Sequence, residues 1–114
     1  SNEKADSTAL KSKAFNESEA IGYVTAINTT ESFELDSIRD NTLKKIWGKA
    51  DELTEEARKI SLTINQQNSK EEREEVLDLA RIAARKAGIQ AAIAAGWEKG
   101  WDKGIAKLAS EKSN

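Results

Sequence analysis

One four-residue unit recurs near the carboxyl end of the chain: Gly96-Trp97-Glu98-Lys99, Gly100-Trp101-Asp102-Lys103, Gly104-Ile105-Ala106-Lys107. On an α-helix, four residues advance by about 40° beyond a full turn. Gly96, Gly100 and Gly104 therefore line one slightly inclined groove. Trp97, Trp101 and Ile105 form the ridge beside it. Three glycines cost a helix roughly 3 kcal/mol against alanine. Close packing must return that, either within one bundle or across an interface between chains. Both readings make Gly96, Trp97, Gly100, Trp101, Gly104 and Ile105 the candidate packing and interface residues. Ala80, Ala84, Gly88 and Ala92 extend the same four-residue series upstream.

Lys99, Lys103 and Lys107 fall roughly opposite the ridge and form a candidate basic face, with Glu98 and Asp102 between them. The interleaved acids weigh against a membrane-surface helix, which needs a concentrated basic side. Net charge is only −2, too little concentrated positive charge to argue for nucleic acid. No apolar stretch approaches the ~18 residues that a membrane span requires.

The repeat resembles the glycine-every-four helical repeats of flagellar and type III export stator-like regulators, which also carry an aromatic residue after each glycine. The resemblance covers residues 96–107, about a tenth of the chain. It implies close helix packing there.

The rest of the chain also reads as helix. Proline is absent from all 114 residues, which fits long uninterrupted helices, because proline removes a backbone donor and clashes in a helix interior. Leu43, Ile46, Ala50, Leu53, Ala57, Ile60 and Ile64 alternate steps of three and four, a heptad seam. They predict a helix from about Ser32 or Asp36 to Asn65, with Asp40–Lys44 and Glu55–Lys59 pairs on its exposed side. Gly48 inside it either lets another backbone approach or leaves room beside Trp47. Residues 65–69 form a polar connector. Ser69 then caps the last helix, with Glu72 as its reciprocal partner, and Glu71, Glu72, Glu74 and Glu75 complement the helix dipole. That helix is expected to end near Ser110. Residues 20–27 mix β-branched and helical signals; helix is preferred because no second strand-like run exists to pair with them. Asn16 offers an N-cap with Glu19, and residues 28–30 a turn.

The expected architecture is all-α. A long antiparallel helical hairpin (about 32–65 and 70–110) carries a shorter N-terminal helix (about 9–28). Residues 9–110 form one domain, between disordered tails at 1–8 and 111–114.

The chain has no cysteine, histidine or methionine. That removes disulfides and thiolate metal sites, and also the commonest general base. Glu71, Glu75 and Asp78 share a helix face, but a dipole-matched helix start explains them without a metal. The sequence assigns no catalytic residue, cofactor, metal or small-molecule substrate. The leading expectation is a non-enzymatic helical protein–protein interaction or assembly module. It would use the heptad seam and the Gly/Trp repeat to bind a protein partner or a second copy. The alternative is an exported accessory, inhibitor or immunity-type protein that binds a partner enzyme. The missing initiator methionine and small polar first residues slightly favour a bacterial periplasmic or secreted location.

Overall fold

The computed structural model describes the backbone of residues 2–29 and 32–113. It contains three helices: α1 (Asn2–Asn28), α2 (Ser32–Leu62) and α3 (Lys70–Ser113). A short 3-10 turn, Ile64–Gln66, lies between α2 and α3. There is no strand among the described residues.

α2 and α3 form the expected antiparallel hairpin. Arg39 near the start of α2 reaches Glu98 far along α3, and Gln90 donates to the Ile46 carbonyl at mid-height. Ser69 caps α3 as its sequence requires. Its Oγ accepts from the Glu72 N–H at 3.1 Å, and the Glu72 carboxylate accepts from the Asn68 N–H at 3.4 Å. At the other end of the connector, Thr63 turns its hydroxyl back onto the Ile60 carbonyl. Local bonding of this kind competes with helix continuation, and α2 stops at Leu62 rather than Asn65.

α1 runs parallel to α3. Lys11 lies beside Gly88, Phe15 beside Gly96, Glu19 beside Gly100 and Ala26 beside Gly104. α1 and α2 flank α3 and make almost no contact with each other among the described residues. The molecule is accordingly long and flat, 67 × 28 × 15 Å. At about 1.5 Å per residue, the 44 residues of α3 span that whole length and serve as the common partner of both other helices.

Two boundaries differ from expectation. α1 begins at Asn2, so residues 2–8, expected as a tail, are helical, and Asn16 sits inside the helix rather than capping it. No glycine or proline interrupts residues 1–21, so nothing local stops the helix from extending backward once residues 11–26 are docked. Likewise α3 continues to Ser113, past the expected stop near Ser110. The final residue of the expected tail at 111–114 lies outside the described residues.

The core is small and centred on α3. Ala26, Trp97 and Trp101 are its buried centre, with Leu35, Ile38, Leu43, Ile46 and Ile105 packed around them. Farther along α3, Ala80, Ala87 and Ala94 are buried at seven-residue intervals, with Trp101 the next step in the series. A strict seven-residue spacing keeps one face toward a partner helix. Ala80 indeed borders a groove whose other wall is Thr54, Ala57, Arg58 and Ser61 of α2. Of the upstream members of the four-residue series, Gly88 lies beside Lys11 of α1, and Ala80 and Ala84 border the groove shared with α2.

Candidate functional site

The Gly/Trp repeat is a packing site, and its occupant is α1. A side-chain carbon on Gly96 would overlap the Phe15 carbonyl, and one on Gly100 the Glu19 carbonyl. At Gly104 it would stand 2.6 Å from the Ala26 methyl and 2.9 Å from the Tyr23 carbonyl oxygen. Each turn of the glycine groove thus holds one turn of α1 backbone. No other residue type permits so close an approach.

α1 supplies a matching surface. Ala14, Ser18, Gly22 and Ala26 are small residues spaced four apart. Gly22 meets the Trp97 carbonyl, where any added carbon would collide. Ser18, only 5 % exposed, donates its hydroxyl proton to the Ile93 carbonyl at 2.6 Å. Ser18 and Gly22 were not singled out in the sequence. The signal that would have found them is that four-residue series, which the apolar pattern of residues 20–27 overshadows.

The tryptophans complete the seam on its far side. Trp97 and Trp101 stack at 5.2 Å between ring centroids with 21° between their planes. Both are buried, and Ile105 is partly buried against them. Being one turn apart on α3, the two rings fill the space where α1, α3 and the first half of α2 meet. Ring pairs of this geometry add roughly 0.5–1.5 kcal/mol beyond the burial of their area.

Each of the three lysines has an acidic neighbour. Lys103 Nζ lies 3.1 Å and Lys99 Nζ 3.9 Å from the Glu19 carboxylate of α1. Lys99 also sits 5.6 Å from the centre of the Phe15 ring. Lys107 pairs with Glu111 at 3.4 Å within α3. These half-exposed pairs each contribute little, and Glu19 with its two lysines links α1 to α3 at the surface. On the other side, Arg39 bridges Glu98 at 3.1 Å and ties α2 to the same stretch of α3.

The remaining acidic clusters do not converge. Asp78 pairs with Arg81, and no group of three acidic side chains is arranged to hold a metal ion among the described residues. Asp40 pairs with Arg39, and Glu55 with Arg58, in place of the expected Lys44 and Lys59. The planar guanidinium of Arg58 bonds both Glu55 oxygens, a fork that a lysine cannot form. That hydrogen bonding holds the Glu55 carboxyl below its usual range and raises Arg58. No described helix is long and apolar enough to cross a membrane.

Outside the seam, several large apolar side chains are exposed. Leu62 near the end of α2, and Leu77, Leu79 and Ile82 in the first turns of α3, are exposed; so are Ile21 and Val24 on the outer side of α1. Leu79 and Ile82, three residues apart, share one helix face. Comparison of the chain with known protein families, with characterised proteins and with solved structures found no match.

Proposed function

We propose that this protein is a non-enzymatic helical interaction module that binds a protein partner through the half of the hairpin nearest its α2–α3 turn. The observation that carries the reading is the exposure of Leu79 and Ile82 on one face, with Leu62 and Leu77 exposed at the same end. Isolated exposed apolar side chains are ordinary, whereas a contiguous exposed patch marks a contact surface; Leu79 and Ile82, on adjacent turns of one face, are the pair that can form one, while Leu77 lies about 200° round the helix from Leu79. The Gly/Trp repeat, whose groove is filled by α1, acts on this reading as the scaffold that holds α3 straight. The chain's catalytic repertoire supports the same view. Histidine and cysteine, the commonest general base and the most nucleophilic side chain, are absent.

The test is a photo-crosslinking amino acid placed at Leu79 or Ile82, and at exposed Lys112 as control, in the cells from which the gene comes. Discrete adducts from positions 79 and 82, absent at 112 and lost in a Leu79→Glu/Ile82→Glu background that keeps its helicity, support the reading. The same adducts at all three positions, or none, overturn it.

A further inference from the structure

Gly48 is the glycine that the fold does not explain. At Gly22, Gly88, Gly96, Gly100 and Gly104 an added carbon would crowd a neighbouring helix or its side chains. At Gly48 it would meet no atom beyond the adjacent residues. The position lies mid-helix with φ in the ordinary negative range, so no backbone conformation requires glycine either. Gly48 instead lies in an open groove of about 620 Å³, bordered by Lys44, Lys45, Lys49 and Glu52 of α2 and by Gln90 of α3.

Charge around Gly48 is divided by direction along the helix. Lys44 and Lys45 precede it by one turn; Asp51 and Glu52 follow by one turn. All four are exposed, and among the described residues none forms an ion pair or side-chain hydrogen bond. At about 100° per residue, Lys44 and Asp51 fall on one side of Gly48, and Lys45 and Glu52 on the other. Lys49, exposed and bordering the same groove, lies about 100° round the helix from Gly48 and so at the edge of the face. Within one turn and about 60° of Gly48 the face is basic at one end, acidic at the other, and bare backbone in the middle.

We infer that this face pairs with its own copy, α2 against α2 in antiparallel orientation, about a two-fold axis beside Gly48. The two-fold inverts the direction of the second helix. Lys44 then stands opposite the partner's Asp51, and Lys45 opposite the partner's Glu52, and each contact occurs twice by symmetry. Asn41 falls opposite the partner's Glu55. A parallel pairing sets lysine on lysine and acid on acid, so the charges also select the orientation. The two glycines let the backbones approach closely enough for the short acidic side chains to reach the partner's lysines. The contact is small and solvated, so it is weak, and added salt loosens it.

This surface is separate from the Leu79/Ile82 face, so the two readings stand or fall independently. The experiment is sedimentation equilibrium over a concentration series up to about 1 mM, the weak end of specific association. Wild type is expected to shift from monomer to dimer, and to shift less at high salt. Lys44→Glu/Lys45→Glu and Asp51→Lys/Glu52→Lys are each expected to stay monomeric, with affinity lowered at least roughly tenfold by like-charge opposition. Mixed in equal amounts, they should form a one-to-one heterodimer tighter than the wild-type dimer. Gly48→Leu should keep full helicity and a monomer melting temperature no lower than wild type, yet lose the dimer. Leu79→Glu/Ile82→Glu should leave self-association unchanged. Wild type that remains monomeric together with a mixture that remains monomeric overturns the inference. So does a dimer that survives the charge variants or Gly48→Leu, or one abolished by Leu79→Glu/Ile82→Glu.

Discussion

The two sides of α3 are built on different principles. Toward α1, glycines carry backbone against backbone, with Gly96, Gly100 and Gly104 under the carbonyls of Phe15, Glu19 and Tyr23. Toward α2, buried alanines recur every seven residues, and at the far end of that series Leu35, Ile38, Leu43 and Ile46 of α2 pack around Trp97 and Trp101. The first side gains many short contacts over little apolar area, and it gives up helix propensity to do so. The second gains apolar burial and keeps good helix formers. A glycine seam has almost no tolerance, because its neighbour is a main chain that cannot rotate away. A seam of alanine and aliphatic side chains can repack.

The largest expected effect comes where the two sides meet. Trp101, 2 % exposed, closes both seams, and Trp101→Ala should cost about 4 kcal/mol. Urea denaturation followed by circular dichroism measures this. A loss under about 1 kcal/mol would mean that the ring is not shared by the two interfaces.

Gly100→Leu tests the difference in tolerance. The new side chain runs into the Glu19 carbonyl, a backbone group that moves only if the whole of α1 moves. The expected cost is about 3 kcal/mol, at the upper end of overpacking, and it should be local. Amide hydrogen exchange should speed up across residues 11–26 while the α2–α3 hairpin keeps its protection. Uniform loss of protection would show that the two sides fold as one unit.

Gly48→Ala provides the contrast of sign. With open space around its added methyl group, the helix should gain up to about 1 kcal/mol, read as a higher melting temperature at a concentration where the chain is monomeric. Gly100→Ala should lower it, since the same methyl group would meet the main chain of α1.

Ser18→Ala sharpens the picture of the glycine side. It removes a 2.6 Å hydrogen bond to the Ile93 carbonyl from a buried position, and should cost about 1 kcal/mol. Ser18→Val is the more damaging change, because a branched side chain does not fit the seam.

The smallest effect concerns the exposed surface of α2. The Glu55 carboxyl titrates below its ordinary value of 4.5 because of Arg58. A group whose folded value is depressed stabilises the fold above its unfolded value, and that contribution fades as pH falls through the folded one. Carboxyl-carbon NMR should therefore find Glu55 titrating below the other exposed glutamates, with Arg58→Ala returning it to the ordinary range. Being fully solvated, the pair should barely alter stability at neutral pH.

Much of the fold was legible before any coordinates. Ser69 and Glu72 marked the start of α3. Leu43 through Ile60 marked the seam of α2. The absence of proline allowed three long helices. The start of α1 was expected near residue 9 rather than Asn2, because the small polar residues 1–8 carry no apolar periodicity, and Asn16 with Glu19 also forms a credible cap in isolation. Only docking of the surrounding turns on α3 decides that the helix passes through. The direct pairing of Glu55 with Arg58 rather than Lys59 was equally hidden. Both lie within one turn of Glu55, and the geometry of the guanidinium settles the competition.

The sequence by itself determined that the chain is helical, that α2 and α3 fold back on each other, and that Gly96, Gly100 and Gly104 receive another helix closely. Each of these follows from residue type and spacing along one helix, where geometry is set by 3.6 residues per turn. Only the tertiary structure decided which helix fills the glycine groove, and that it does so in parallel orientation. It also decided that α1 and α2 sit on separate flanks of α3 instead of closing a three-sided bundle. Those outcomes depend on the match between two surfaces far apart in the chain. The series Ala14, Ser18, Gly22 and Ala26 is recognisable as the partner of the repeat only once both lie side by side.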